Sequence, residues 1–213
     1  MESATRMTIR EMKAEDIEQI VALHMRAFQA FFLTFLGPKF LSEIYLAFAS
    51  DPTVAAFVAE DEQGRIVGAV AGPLEPSGYF GRLLKRRWWA FCLASVKAVL
   101  RHPTIIPRLF RAVFYRGESP KGPPRALLSC IMVDPQTQRQ GLGRALVERW
   151  VKSVQKQGIR GCFLLTDAEG NDAINRFYAR CGWRIESTLT RPQGRVMNRY
   201  VYDFPEGSEA PRA

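Results

Sequence analysis

The chain has 213 residues, 47% of them hydrophobic, and a formal net charge of +9. That size and apolar share fit one domain carrying an insertion and exclude a disordered chain. Four cysteines without metal-ligand spacing and two histidines leave no zinc centre to expect, and no metal of any kind.

Residues 7–11 have a short β-like pattern. Glu15 or Asp16 can open a helix that runs to about Phe28, with Ile17, Ile20, Val21, His24 and Phe28 at helical spacing. Pro38 suits the first turn of a second helix, residues 39–50, whose Phe40, Leu41, Ile44, Tyr45 and Phe48 make one buried face. Residues 53–60 and 65–74 are β-branched and apolar, and the Asp61-Glu62-Gln63-Gly64 turn makes them a hairpin.

Residues 76–121 stand apart. They hold ten Lys/Arg and one acid, Glu118, so the whole basic excess belongs to this segment and the rest of the chain is neutral. The pattern predicts one or two helices broken by Pro103 and Pro107, with Trp88, Phe91, Ser95 and Val99 sharing a face. The most apolar run, 88–100, is shorter than the roughly 20 residues a membrane span needs.

Residues 125–133 form a near-continuous apolar run, predicted as a central strand that ends at Asp134-Pro135. An amphipathic helix follows over 141–156, capped by Gly158. A strand (161–166), a helix (171–180) closed by Gly182 and two strands (183–189 and 195–204) complete the order. The expected fold class is mixed α/β: a single-layer mixed sheet with helices on both faces. Residues 1–204 make one domain with 76–121 as an insert, and 205–213 form a loose polar tail. The N-terminus lacks a charged-then-apolar leader pattern, and the four cysteines lie in apolar runs as buried, reduced thiols. Both features point to a cytoplasmic setting.

The most informative stretch is Val133-Asp134-Pro135-Gln136-Thr137-Gln138-Arg139-Gln140-Gly141-Leu142-Gly143-Arg144. A buried strand ends, a polar turn follows, and two glycines open a helix. The first N–H groups of that helix lack intrahelical partners and sit at the positive end of its dipole, which suits a pyrophosphate. Gly141 and Gly143 let backbone approach closely, while Arg139 and Arg144 add charge. Neither the P-loop nor the dinucleotide glycine pattern is present.

In this context the turn resembles motif A of the GNAT family of N-acetyltransferases, Q/R-x-x-G-x-G/A, with Gln138, Gly141 and Gly143 at its fixed positions. Residues 170–183 resemble the family's second motif, N-x-x-A-x-x-x-Y-x-x-x-G-F, through Asn171, Tyr178 and Gly182. Trp183 replaces the usual Phe, and Ile174 stands where Ala is usual. The resemblance implies that acetyl-CoA is the cosubstrate. It places Gln138, Arg139, Gln140, Gly141, Leu142, Gly143 and Arg144 around the diphosphate. Ile131, Met132 and Val133 would pair with the pantetheine amides on a strand that splays from its neighbour, and Asn171 would touch the cofactor arm. Tyr178 would be the general acid beside the sulfur. Taken alone, Tyr178 reads as an amphipathic-helix residue with its hydroxyl at the surface.

The attacking amine must lose a proton, and no Glu lies on the 125–133 strand. Asp167, Glu169, Glu75, His24 and ordered water are the candidates, Asp167 being the one assigned in the site. Ser129 and Cys130 have no neighbouring His in sequence, so a covalent acyl-enzyme is not expected.

The expected function is transfer of an acetyl group to a primary amine by direct attack in a ternary complex. The alternative is a non-catalytic acyl-CoA-binding or membrane-surface adaptor with the same fold. The basic, aromatic insert has three readings: a flap with solvated arginines, a pocket wall for a small acidic acceptor such as an amino sugar, or a contact with an anionic membrane surface. Nucleic acid ranks below these, because no nucleic-acid-binding fold appears.

Overall fold

The structure, a computed structural model, defines residues 7–29, 32–101, 124–137, 141–191 and 194–205, and the side chains of all of these except 32 and 96–101. The expected breaks at Pro103 and Pro107, residues Gln138, Arg139 and Gln140 of the turn, and residues 206–213 of the tail lie outside the described residues.

In chain order, β1 (Thr8–Glu11) leads through a 3-10 turn into α1 (Ile17–Ala27), the short α2 (Phe32–Phe35) and α3 (Pro38–Ser50). The hairpin of β2 (Val54–Glu60) and β3 (Ile66–Pro73) follows, and then α4 (Tyr79–Arg101). Next come β4 (Ala126–Leu127), β5 (Cys130–Val133), α5 (Leu142–Lys156), β6 (Gly161–Asp167), α6 (Asp172–Arg180), β7 (Arg184–Thr190) and β8 (Val196–Asp203).

Local chemistry explains the starts and turns. Asp16 is buried, and its carboxylate accepts from the Lys13 N–H at 2.8 Å and from both terminal nitrogens of Arg10 at 2.8 and 2.7 Å. This ties β1 to the start of α1. Pro38 opens α3 behind Gly37, whose φ of 88° is open to glycine without strain. In the β2–β3 hairpin, Asp61 Oδ1 accepts from the N–H groups of Gln63 and Arg65.

One expectation changes. The strand predicted over 125–133 is two strands in two sheets. One sheet has the order β1-β2-β3-β5 and the other β4-β6-β8-β7. Ala126 and Leu127 pair in parallel with Cys162 and Phe163, and the Leu128 N–H still reaches Phe163 O at 2.9 Å. One residue later the Ser129 N–H donates instead to Ala71 O at 3.0 Å, and Cys130 to Val133 pair antiparallel with β3. The chain therefore changes partners between Leu128 and Ser129. The near-continuous apolar run shows little of such a change, because Ser129 alone interrupts it, although β4 is buried and β5 is mostly half-buried.

Gly72 sits at the crossing. A Cβ placed there would lie 1.8 Å from Leu127 O and 2.9 Å from Ser129 N. Only a residue without a side chain lets β3 pass so close to the switching strand. The second sheet is held by ion pairs. Arg125 joins Asp203 (2.7 Å) and Glu186 (2.8 Å), and the buried Arg199 joins Glu186 (2.7 Å) with its guanidinium 4.1 Å from the Phe163 ring centre.

The core has two main parts. On one face of the first sheet Ile20, Val21, Leu23, Leu41, Tyr45 and Phe48 of α1 and α3 pack on Val58, Ile66, Ala69 and Met132. On the other, Leu146, Val147, Trp150, Val151 and Val154 of α5 pack with Phe57, Val70, Leu164, Tyr178 and Trp183. Trp150 is fully buried, and its indole N–H reaches Ala55 O at 3.0 Å. Helices thus cover both faces, as expected.

Two smaller expectations are corrected in α4. Trp88 does not share the buried face of Phe91 and Ser95, because the helix is kinked at Arg87 (φ −122°, ψ 24°), whose guanidinium pairs with Glu43 at 2.8 Å. Of the four cysteines expected to be buried, only Cys162 is; Cys130 and Cys181 are half-buried, Cys92 is exposed on the outer side of α4, and all four thiols are free.

Candidate active site

The partner change at Leu128 opens a wedge between β5 and β6. Beyond Phe163, β6 pairs with β8 alone, and its last residues Leu165, Thr166 and Asp167 are half-buried, unlike the four before them. On the other side, Ile131, Met132 and Val133 bond only to β3. Their opposite backbone edge faces the wedge with its N–H and C=O groups unpaired by any described strand. Buried backbone polar groups demand partners, so this edge is a ready acceptor for a ligand that carries amides.

The wedge ends at a helix start. Asp134 closes β5 and is tied to α1 by Arg26 at 2.7 Å. Burial pushes its carboxyl up, but the Gln136 amide and Arg26 outweigh this and bring it below the usual carboxylate range. After a 3-10 turn (Pro135–Thr137), α5 begins behind Gly141, which is left-handed at φ 77°, and a Cβ placed on it would meet nothing within 4 Å. The N–H groups of Leu142, Gly143 and Arg144 open this helix, and no described side chain caps them. They form the concentrated positive end that a diphosphate fits. Arg144 itself pairs with Glu148 at 2.7 Å along the helix.

Gly143 is where three elements meet. A Cβ there would lie 3.5 Å from the Phe177 ring of α6 and 3.7 Å from Val133 Cγ2 of β5. The residue after Phe177, Tyr178, is buried among Phe177, Trp183 and Tyr200, with ring centres 5.2, 6.1 and 5.7 Å away. The surface position that a lone amphipathic helix would give it is not what is found. Burial, then the Cys130 and Cys181 thiols, push its phenol well above the ordinary value, so it stays protonated. A phenol held protonated beside β5 is equipped to hydrogen-bond or protonate a leaving thiolate. The helix ends as expected: Gly182 turns left-handed at φ 84°, and the Trp183 N–H donates to Tyr178 O at 3.1 Å.

Asn171 precedes α6. Its amide donates to Thr166 Oγ1 at 2.8 Å and to Asp167 O at 3.3 Å, so it fixes the open end of β6. Asn175 adds a bond to the same carbonyl at 3.0 Å. Asp167 is held by Arg195 through two bonds at 2.5 and 2.8 Å, and Arg195 keeps its carboxyl below the usual range. Glu169 and Glu75 are exposed.

A group that sequence spacing left unlinked appears behind β5. His24 Nδ1 lies 2.7 Å from the Tyr45 hydroxyl, which lies 3.3 Å from Cys130 Sγ. His24 and Tyr45 are both buried, and His24 Nε2 has no hydrogen-bond partner among the described residues. Burial lowers the His24 pKa to about 4 and raises the Cys130 thiol to about 11, so both are neutral at pH 7. Helical spacing placed His24 and Tyr45 on inward faces, but nothing in the sequence pairs residues from two helices with a strand. The folded value below the free value of 6.5 has a consequence for stability. The unfolded chain binds the proton first, so stability is full above pH 6.5 and falls as the pH drops toward 4. His24→Gln should remove a share of this acid sensitivity worth on the order of 3 kcal/mol. Urea midpoints of both proteins at neutral and acid pH check this, and equal slopes would contradict it.

Comparison with known proteins agrees with this architecture. The model of the Acetyltransferase (GNAT) family matches residues 17–183. The chain belongs to this family. A [ribosomal protein bS18]-alanine N-acetyltransferase of Escherichia coli is 41% identical over 66 residues, a match covering 31% of this chain and 43% of that enzyme. This chain therefore spans less than half the length of that curated relative. Among solved structures, a spermidine/spermine N-acetyltransferase of Vibrio cholerae superposes with a TM-score of 0.55 at 18% identity, over 93% of this chain and 92% of that one. A polyamine N-acetyltransferase of Drosophila melanogaster gives 0.59 at 17% identity, over 93% and 100%. At such identities these two share the fold. Among the described residues no group of side chains is placed to hold a metal ion.

Proposed function

We propose that the chain transfers an acetyl group from acetyl-CoA to a primary amine by direct attack within a ternary complex. The observation that carries this is the split between β5 and β6, with the uncapped helix start behind Gly141 at the end of β5 and the buried Tyr178 on the helix that follows β6. Acetyl-CoA supplies the activated thioester. The open edge of Ile131, Met132 and Val133 orients it through backbone bonds, and the first turn of α5 holds its diphosphate. Residues 138–140 lie between β5 and α5, and Gln138, Arg139 and Gln140 would add to the same anion site.

In the transfer, the amine nitrogen forms the bond to the acetyl carbon. A β5 N–H steadies the negative oxygen. The carbon–sulfur bond then breaks, and Tyr178 gives its proton to the departing sulfur. The proton lost by nitrogen goes to a base. Asp167, at the open end of β6, is the carboxylate assigned to take it, but its oxygens are engaged by Arg195. Asp167→Asn is expected to lower kcat by only about threefold, since a carboxylate held by arginine is a poor proton acceptor. A drop of about 100-fold or more, with a shifted pH profile, would make Asp167 the base.

For the acceptor, we favour an amine carried on a small acidic metabolite such as an amino sugar. α4 contains no Asp or Glu and six Lys or Arg along its length, which repels a polycation and attracts an acid. The test is a screen of amine acceptors by thiol release. Turnover with acidic amino sugars above that with spermidine supports this reading. The reverse order overturns the acceptor while leaving the transfer itself standing, and acetyl-CoA binding without release for any amine favours the non-catalytic alternative.

A further inference from the structure

The buried side of α4 is fully engaged. Phe91 packs on Phe40 of α3 with ring centres 4.9 Å apart, Leu83, Leu84 and Ala94 join the same cluster, and Arg87 pairs with Glu43. The opposite side is different. Trp88, Trp89 and Leu93 are 45, 66 and 73% exposed, and the two indoles stack on each other at 3.7 Å. Cys92 is exposed beside them. One turn earlier, Arg82, Lys85 and Arg86 are exposed as well. Phe35, 53% exposed, lies on the short helix whose neighbour Leu36 packs into the same cluster as Phe91.

Large apolar side chains exposed together mark a contact surface. Here the surface combines stacked Trp rings and an aliphatic residue with three outward cations, on a helix with no acidic residue to offset them. Water alone rewards the cations and not the indoles. Lipid headgroups reward both: Trp rings sit at the interfacial level, Leu enters the acyl boundary, and Lys and Arg meet anionic headgroups. A nucleic acid would reward the cations and the ring faces. It has no use for Leu93, and the indoles already cover each other. Among the described residues no helix is long and apolar enough to cross a membrane, so the mode is lying on the surface.

We infer that the outer face of α4, through Trp88, Trp89 and Leu93 with Arg82, Lys85 and Arg86, docks the protein on an anionic lipid surface. This goes beyond the transfer reaction and does not depend on it.

The test is co-sedimentation of the full chain with phosphatidylcholine vesicles, with and without phosphatidylglycerol. The full chain should partition about tenfold or more toward the anionic vesicles, and less as salt rises from about 0.1 to about 0.5 M. Trp88→Ser with Trp89→Ser should cut partitioning about tenfold on the anionic vesicles. Arg82→Gln with Lys85→Gln and Arg86→Gln should erase the preference for phosphatidylglycerol. All these side chains are exposed, so the urea midpoint should be unchanged in every variant, which separates lost docking from lost folding. Absence of the full chain from the anionic pellet overturns the inference. So does partitioning that survives both sets of substitutions, or retention on a DNA duplex with none on vesicles.

Discussion

Tyr178→Phe should lower kcat by about 100-fold or more, in the range that general acid catalysis contributes, and leave the Kd for acetyl-CoA within about twofold. Phenylalanine keeps the ring that packs against Trp183 and Tyr200, so the core around α6 is preserved. Only the hydroxyl is lost. Its role appears as the carbon–sulfur bond breaks and negative charge gathers on sulfur, so the effect belongs in kcat and not in cosubstrate binding. Burial and the nearby thiols hold the phenol protonated, so the wild-type pH profile should show no titration of this group near neutral pH. Steady-state kinetics with a saturating amine, together with calorimetric titration, measure both quantities. An unchanged kcat would remove Tyr178 from the chemistry.

Gly72→Ala should be the most damaging small substitution in the sheet. The added carbon would fall 1.8 Å from Leu127 O, far inside contact distance, and the obstacle is backbone and not a side chain that can swing away. Either β3 or the switching strand must move. Overpacking of this kind costs about 1–3 kcal/mol or more. The strain lands on the point where the chain leaves β6 for β3, so the wedge should close or shift and acetyl-CoA affinity should fall along with the urea midpoint. Gly143→Ala is the contrasting case. Its Cβ meets Phe177 at 3.5 Å, an ordinary contact, and alanine gains about 1 kcal/mol of helix propensity over glycine. Stability equal to wild type in Gly72→Ala would show that the crossing is not tight.

The order of elements was readable because periodicity survives in a single sequence. α5 runs to Lys156 and Gly158 turns left-handed just past its end, as the pattern 141–158 predicts. Gly182 closes α6 for the same reason. The proposed site follows two motifs in which Gly141, Gly143, Asn171 and Tyr178 stand at fixed spacing, and the structure puts Gly141 at a helix start and buries Tyr178. The two-sheet split was not. Residues 126–133 are apolar apart from Ser129, and one polar residue does not reveal a change of hydrogen-bond partner. α2 was missed because four residues are too few to show a helical period. The His24–Tyr45–Cys130 group joins three elements, so only the packed chain brings it together. The face of α4 was misjudged at Trp88, since the kink at Arg87 breaks the regular spacing used to assign it.

The most direct measurement is calorimetric titration of acetyl-CoA into the wild type and into Gly141→Ala and Gly141→Glu. Gly141 is left-handed and has open space around it, so alanine tests backbone strain and glutamate adds a negative charge at the helix start. The expected result is one site per chain in the wild type, a Kd weakened by less than about tenfold in the alanine variant, and no measurable binding in the glutamate variant. Binding of equal strength in all three proteins would contradict the placement of the diphosphate at the start of α5, and with it the reading of the β5–β6 wedge as the acetyl-CoA site.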